Sequence, residues 1–157
     1  MIPAGNPWQK EGQLVATSTQ RLEMCRLVTA GNPKIEVLDI EVNRSGPTYS
    51  IDTVIELETI YPGSEFSLVL GTDALRNIQS WHRLEELIEK VEFLQLLRNG
   101  ESVNPEDLPM GIEVNLVKGA MLDISSTLIR EKVAKSEDVS ELVDAKILDL
   151  VKGIYGA

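Results

Sequence analysis

The chain has a single cysteine, Cys25, and a single histidine, His82, among 157 residues. One cysteine excludes an internal disulfide, and two isolated residues of these types exclude a cysteine or histidine metal cluster. With Met24 and Leu27 nearby, Cys25 reads as a packed thiol in a reducing compartment. No run of basic residues occurs: 15 Lys and Arg stand against 25 Asp and Glu, a formal net charge of -10. That balance excludes a broad face for nucleic acid or an anionic membrane, so any anion site has to be local. No apolar stretch reaches membrane-spanning length, and "MIPAGNPWQKEG" has neither the basic region nor the apolar run of a signal peptide. A cytoplasmic protein is the default. Repeats, low-complexity segments and long linkers are also missing, which leaves one domain over residues 1–157. Neither a GxxxxGK phosphate loop nor a GxGxxG dinucleotide fingerprint is present.

What is present is a globular composition, 43% hydrophobic and 25% charged. In "TSTQRLEMCRLVTAGNP", Thr17 and Gln20 form a capping box, and Gly31-Asn32-Pro33 stops the helix. "KIEVLDIEV" alternates as a strand with one wet face, with a slip at Leu38 to Asp39. "GPTYSIDTVIELETIYPG" is a turn and a helix with Ser50 as N-cap and Pro62-Gly63 as stop. "FSLVLG" suits a strand buried on both faces of a parallel sheet. A helix through "WHRLEELIEK", a buried run "VEFLQLLR" and a short strand "IEVNLV" follow. The chain closes with a helix from Ser125–Thr127 and another over about 138–152. Strands alternating with helices predict an α/β layered fold.

Four stretches carry chemistry. In "DISSTLIREK", a helix starting at Ser125, Ser126 and Thr127 presents first-turn N–H groups, hydroxyl donors and the planar fork of Arg130, all suited to phosphate. The alternative is an ordinary Ser/Thr cap whose arginine turns to a surface carboxylate. "LVLGTDAL" delivers Gly71 and Asp73 to the carboxyl edge of a strand, where open α/β sheets bind ligands; Asp73 could equally cap the next helix. Trp81 is a stacking surface for a flat ring or a packing anchor. Thr48, Tyr49 and Ser50 gather donors at a helix start, and Lys10 sits in the stiff loop "PAGNPWQK".

The order of these blocks, "IPAGNPWQK", "QRLEMCRLV", "NRSGPTYSIDTVIEL", "LVLGTDALRNIQSWHR", "EFLQLLRNG" and "DISSTLIRE", resembles the bacterial nicotinate-nucleotide adenylyltransferases of the nucleotidyltransferase superfamily. The resemblance implies a Rossmann-like fold, with a mostly parallel sheet flanked by helices. It also implies adenylyl transfer from ATP to nicotinate mononucleotide, with magnesium arriving on ATP. It further implies ATP-phosphate contacts from Ser125, Ser126, Thr127 and Arg130, and a nucleotide edge at Gly71 and Asp73. Thr48, Tyr49 and Ser50 would lie beside the pyridine carboxylate and Trp81 on the pyridine ring. Lys10 and Arg130 are the expected catalytic cations, and Arg98 lies towards adenosine. An adenylyltransferase for another phosphate acceptor and a non-catalytic nucleotide-binding module are the rival readings.

Two family features have no counterpart here: the Gly-rich "GGTFDP" turn and the His-x-Gly-His motif, which one histidine at 82 does not supply. "MIPAGNP" reads as the tail of a strand without its preceding unit, roughly 35 to 45 residues. The expectation is an N-terminally truncated sequence of an active enzyme. The apolar stripe of the last helix suits the domain's own core and sets no oligomeric state.

Overall fold

Residues 1–7, 15–97, 102–117 and 124–156 are described by the computed structural model. Along them run α1 (Ser18–Thr29), α2 (Ser50–Ile60), β1 (Phe66–Gly71), α3 (Thr72–Arg76), α4 (Leu84–Lys90), β2 (Val91–Leu96), β3 (Val114–Val117), α5 (Ser126–Ala134) and α6 (Leu148–Tyr155). Short 3-10 turns occupy Ile78–Ser80 and Pro105–Asp107. They form two units, Met1–Thr48 with Ile124–Ala157, and Tyr49–Asp123.

The second unit holds the sheet. β1 pairs with β2 and β2 with β3, both parallel, with Leu68 opposite Phe93 and Phe93 opposite Val114. Parallel neighbours need a crossover, and α3 and α4 supply it between β1 and β2. Ile51 and Val54 of α2, Leu70, Leu75, Ile78, Leu87, Phe93 and Val103 form one buried cluster. Each fully buried side chain of this size contributes about 1.5–3 kcal/mol. Sheet residues thus point alternately into this core and away from it, and the away-facing Val69 and Leu96 are 57% and 42% exposed. β1 is therefore half-buried, where the sequence predicts burial on both faces. An apolar run reports hydrophobicity; the layers present decide which face is covered.

In the first unit, the α1 capping box is as predicted. Gln20 N donates to Thr17 Oγ1 at 3.1 Å and Thr17 N to Gln20 Oε1 at 2.8 Å. The helix stops before Gly31, whose φ of 88° suits glycine alone. Val133, Val139 and Val151 make a second buried cluster, joined by Met24, Ile129, Leu142, Ile147 and Tyr155.

Three more predicted elements change. The expected strand at 34–42 is not formed and joins no sheet among the described residues. It is tied to the N-terminus, where Met1 N donates to Glu36 O and Leu38 N donates to Met1 O at 3.0 Å. The final helix spans Leu148–Tyr155, because the residues before it adopt turns. Asp138 accepts from Ser140 N at 3.0 Å and Asp144 from Lys146 N at 2.8 Å, offering that backbone an alternative to helix. Ser50 is the first residue of α2, with Tyr49 in the cap position.

No helix among the described residues is long and apolar enough to cross a membrane.

Candidate functional site

In the first unit, α5 begins at the hydroxyl run. Ser125 is the N-cap, and its Oγ accepts from Leu128 N at 3.1 Å, a cap worth about 1 kcal/mol. Helix geometry leaves the first N–H groups without intrahelical acceptors, at the positive end of the dipole. Ser126, Thr127 and Arg130 are all exposed on this turn, and Arg130 Nη2 donates to Thr127 Oγ1 at 3.1 Å. A cation here is unfavourable by about 0.3–1 kcal/mol when exposed, and a bound phosphate reverses that sign. Met24, Val28, Ile129, Tyr155, Ser126, Arg130 and the carboxylate-bearing Asp144 share the lining of a groove of about 340 Å³. The wall is apolar, and the polar lining sets the Ser126 hydroxyl and the Arg130 cation beside the Asp144 carboxylate.

The same unit builds the Ala4–Pro7 loop. Arg21 Nη2 donates to the carbonyls of Ala4 and, at 2.8 Å, Gly5, while Nη1 donates to Ala16 O. Gly5 lies against Glu41: a Cβ there would be 1.9 Å from the Glu41 carbonyl oxygen. Thr48 N donates to Asn6 O at 2.9 Å, and Pro7 and Thr48 form an isolated parallel bridge. Thr48 is therefore fixed by the loop; it is 7% exposed, and its Oγ1 is buried with no partner among the described residues. A buried hydroxyl without a partner is uncommon in a stable fold.

In the second unit, Gly71 ends β1 and Asp73 stands in the first turn of α3 with its side chain 88% exposed. Gly71 holds the cap position, so Asp73 is not the cap that the sequence allowed. Buried Gln95 braces this turn from β2, its Nε2 donating to Thr72 Oγ1 at 3.1 Å. From α3 the chain is tied forward: Asn77 Nδ2 donates to Asp73 O at 3.0 Å, and Trp81 N to Ile78 O at 2.9 Å. Trp81 packs half-buried on the core, and its Nε1 has no partner among the described residues. Its neighbour His82 stacks on Tyr49, ring centroids 4.3 Å apart and planes 29° from parallel. Thus Tyr49, just before α2, and the Trp81-His82 segment meet. The expected helix through "WHRLEELIEK" begins only at Leu84 because Arg83 is left-handed, with φ 52°.

Lys10 and Arg98 lie outside the described residues. No group of three or more His, Cys, Asp or Glu side chains among the described residues is placed to hold a metal ion.

Residues 1–132 match the cytidylyltransferase-like family. A relative from Saccharopolyspora erythraea, "Probable nicotinate-nucleotide adenylyltransferase", is 38% identical over 98% of this chain and 73% of its own length. The chain belongs to this family of adenylyltransferases. A relative of the same name from Geobacillus thermodenitrificans is 35% identical over 99% of the chain and 71% of its own length. The fold is shared with a solved Plasmodium falciparum nicotinic acid mononucleotide adenylyltransferase complexed with NaAD. That structure is 18% identical, with a TM-score of 0.71, over 96% of this chain and 77% of that one. The α/β nucleotidyltransferase fold predicted from the sequence is therefore the one observed.

The contacts of Gly5, Arg21, His82 and Arg83 were not apparent from the sequence. Gly5 had a usable signal, a glycine between an alanine and Asn-Pro in a stiff loop. The other three act through partners distant in the chain, which no local spacing discloses.

Proposed function

We propose that the chain transfers the adenylyl group of ATP to the phosphate of nicotinate mononucleotide, giving deamido-NAD and pyrophosphate in the cytoplasm as one adenylyltransferase domain. The observation that carries this reading is the match, over 98% of this chain and 73% of the relative, to a protein of that name. Its geometric support is the hydroxyl- and arginine-bearing start of α5. An oxygen of the mononucleotide phosphate attacks the α-phosphorus of ATP in line, and the bond to the bridging oxygen breaks as pyrophosphate leaves. Such chemistry needs positioning and relief of charge on phosphate oxygens more than covalent help.

In this proposal Ser125, Ser126, Thr127 and Arg130 hold ATP phosphates, and Gly71 and Asp73 face nucleotide. Thr48 donates its orphaned hydroxyl to the acceptor, the α2 start at Tyr49 and Ser50 offers N–H groups to its carboxylate, and Trp81 stacks on its ring. Lys10 and Arg98 keep the phosphate and adenosine roles that the resemblance implies. Magnesium enters as part of the ATP substrate, bound to phosphates and water.

Pyrophosphate release measured with ATP and nicotinate mononucleotide, each omitted in turn, tests the reaction. Release that needs both and stops with EDTA supports it; release indifferent to the mononucleotide refutes it. Nicotinamide mononucleotide in its place measures the preference for acid over amide.

A further inference from the structure

Arg83 combines a left-handed backbone, unusual for a residue with a long side chain, with three side-chain hydrogen bonds to two carboxylates. Its Nε and Nη2 donate to Glu86 Oε2 at 2.9 and 2.6 Å, within the start of its own helix α4. Its Nη1 donates to Asp52 Oδ1 at 3.1 Å, on the first turn of α2. Glu86 thus fixes two arms of the guanidinium and presents the third to α2. A strained backbone persists only where surrounding contacts over-determine it, and such positions gather at binding sites. The two residues just before Arg83 are Trp81, whose buried Nε1 has no partner among the described residues, and His82, stacked on Tyr49. Asp52 lies three residues after Tyr49 and two after Ser50.

We infer that the Asp52–Arg83 pair is a positioning device that fixes Trp81 and His82 against the start of α2, the end of the proposed site that receives the acceptor's ring. The inference rests on the proposed function for its ligand and not for its geometry. Neither residue touches substrate in this account; both act through the turn they hold. A second ion pair, Lys90 Nζ to Glu58 at 2.9 and 3.0 Å, ties α2 to α4 further along. It supplies a control: its loss loosens the same two helices without releasing the Trp81-His82 turn.

His82 is the only histidine, so its ring protons report in isolation by NMR. In the unaltered chain at fixed pH they are expected to carry an upfield ring-current shift from Tyr49, given the stacked rings. Asp52→Asn and Arg83→Asn are the test variants; asparagine tolerates the left-handed backbone, so the second removes the pair without adding strain. Both are expected to lose most of the His82 shift and to bind nicotinate mononucleotide about threefold to tenfold more weakly by calorimetry, as suits a half-exposed pair. ATP affinity is expected to stay within about twofold. Glu58→Gln is expected to keep both the shift and the affinity. A retained shift in Asp52→Asn, an unchanged acceptor affinity once the shift is lost, or equal losses in Glu58→Gln would each overturn the inference. If the unaltered chain binds no nicotinate mononucleotide, the proposed function fails, and the His82 shift alone then decides the positioning.

Discussion

Replacing Gly5 with alanine places a methyl group 1.9 Å from the Glu41 carbonyl oxygen, 2.6 Å from its carbon and 3.2 Å from Thr48 Cγ2. A carbon and a carbonyl oxygen come no closer than about 3.3 Å without strain. The loop must therefore withdraw by more than about 1 Å, and the obstacle is backbone that no rotamer change can move aside. Withdrawal stretches the Arg21 bond to Gly5 O, now 2.8 Å, and the Thr48 bond to Asn6 O, now 2.9 Å. Losing one charged and one neutral hydrogen bond costs about 2–4 kcal/mol, with strain of similar size as the alternative if the loop stays. Urea denaturation followed by circular dichroism is expected to show a loss in that range, with a lower midpoint and an unchanged slope. Gly31→Ala is the contrast: nothing lies within 4 Å of its added Cβ, so only the φ of 88° matters. It is expected to lose about 1–2 kcal/mol. If Gly5→Ala costs less than Gly31→Ala, the reasoning from close approach is wrong.

Further outcomes follow from other contacts. Gln95→Leu removes the oxygen that accepts from buried Val103 N at 3.3 Å, and should destabilise the chain by about 1–3 kcal/mol in the same urea experiment. Glu137 titrates below the usual glutamate range through the hydrogen bond from Lys132 and then its charge; Asp138 is held low by Ser140 N–H and hydroxyl. Because both folded values are depressed, their stabilising contribution is complete above the ordinary carboxylate range and fades as pH falls through it to the folded values. Lys132→Gln should move the Glu137 carboxyl resonance in an NMR titration up towards the ordinary range; an unmoved midpoint would refute the coupling. Arg130→Gln should raise the KM for ATP by about ten- to a hundredfold, the value of a charge-assisted bond to phosphate, and change that for the acceptor little. Equal effects on both substrates would remove Arg130 from the phosphate end.

Much of this protein was legible because its signals are local. Thr17 and Gln20 can close a capping box from adjacent residues alone, and Gly31 marks the end of α1 for the same reason. The hydroxyls at Ser125–Thr127 announce a helix start because a cap is satisfied within three residues. The parallel sheet is foretold by apolar runs alternating with helical stripes. Local signals also mislead where two compete. Asp138 and Asp144 take backbone N–H groups that an apolar stripe would otherwise assign to a helix, and "KIEVLDIEV" keeps strand periodicity without acquiring a ladder among the described residues.

The sequence by itself determined the alternation of elements, the family and the residue types at the site, since each depends on short-range spacing or whole-chain similarity. Tertiary structure decided which sheet face is covered, that Gly5 admits no side chain, that the Thr48 hydroxyl is buried without a partner among the described residues, and that Arg83 reaches Asp52. Each of these depends on groups far apart in the chain brought within a few ångströms, and backbone approach, burial and ion pairing exist only once that packing has formed.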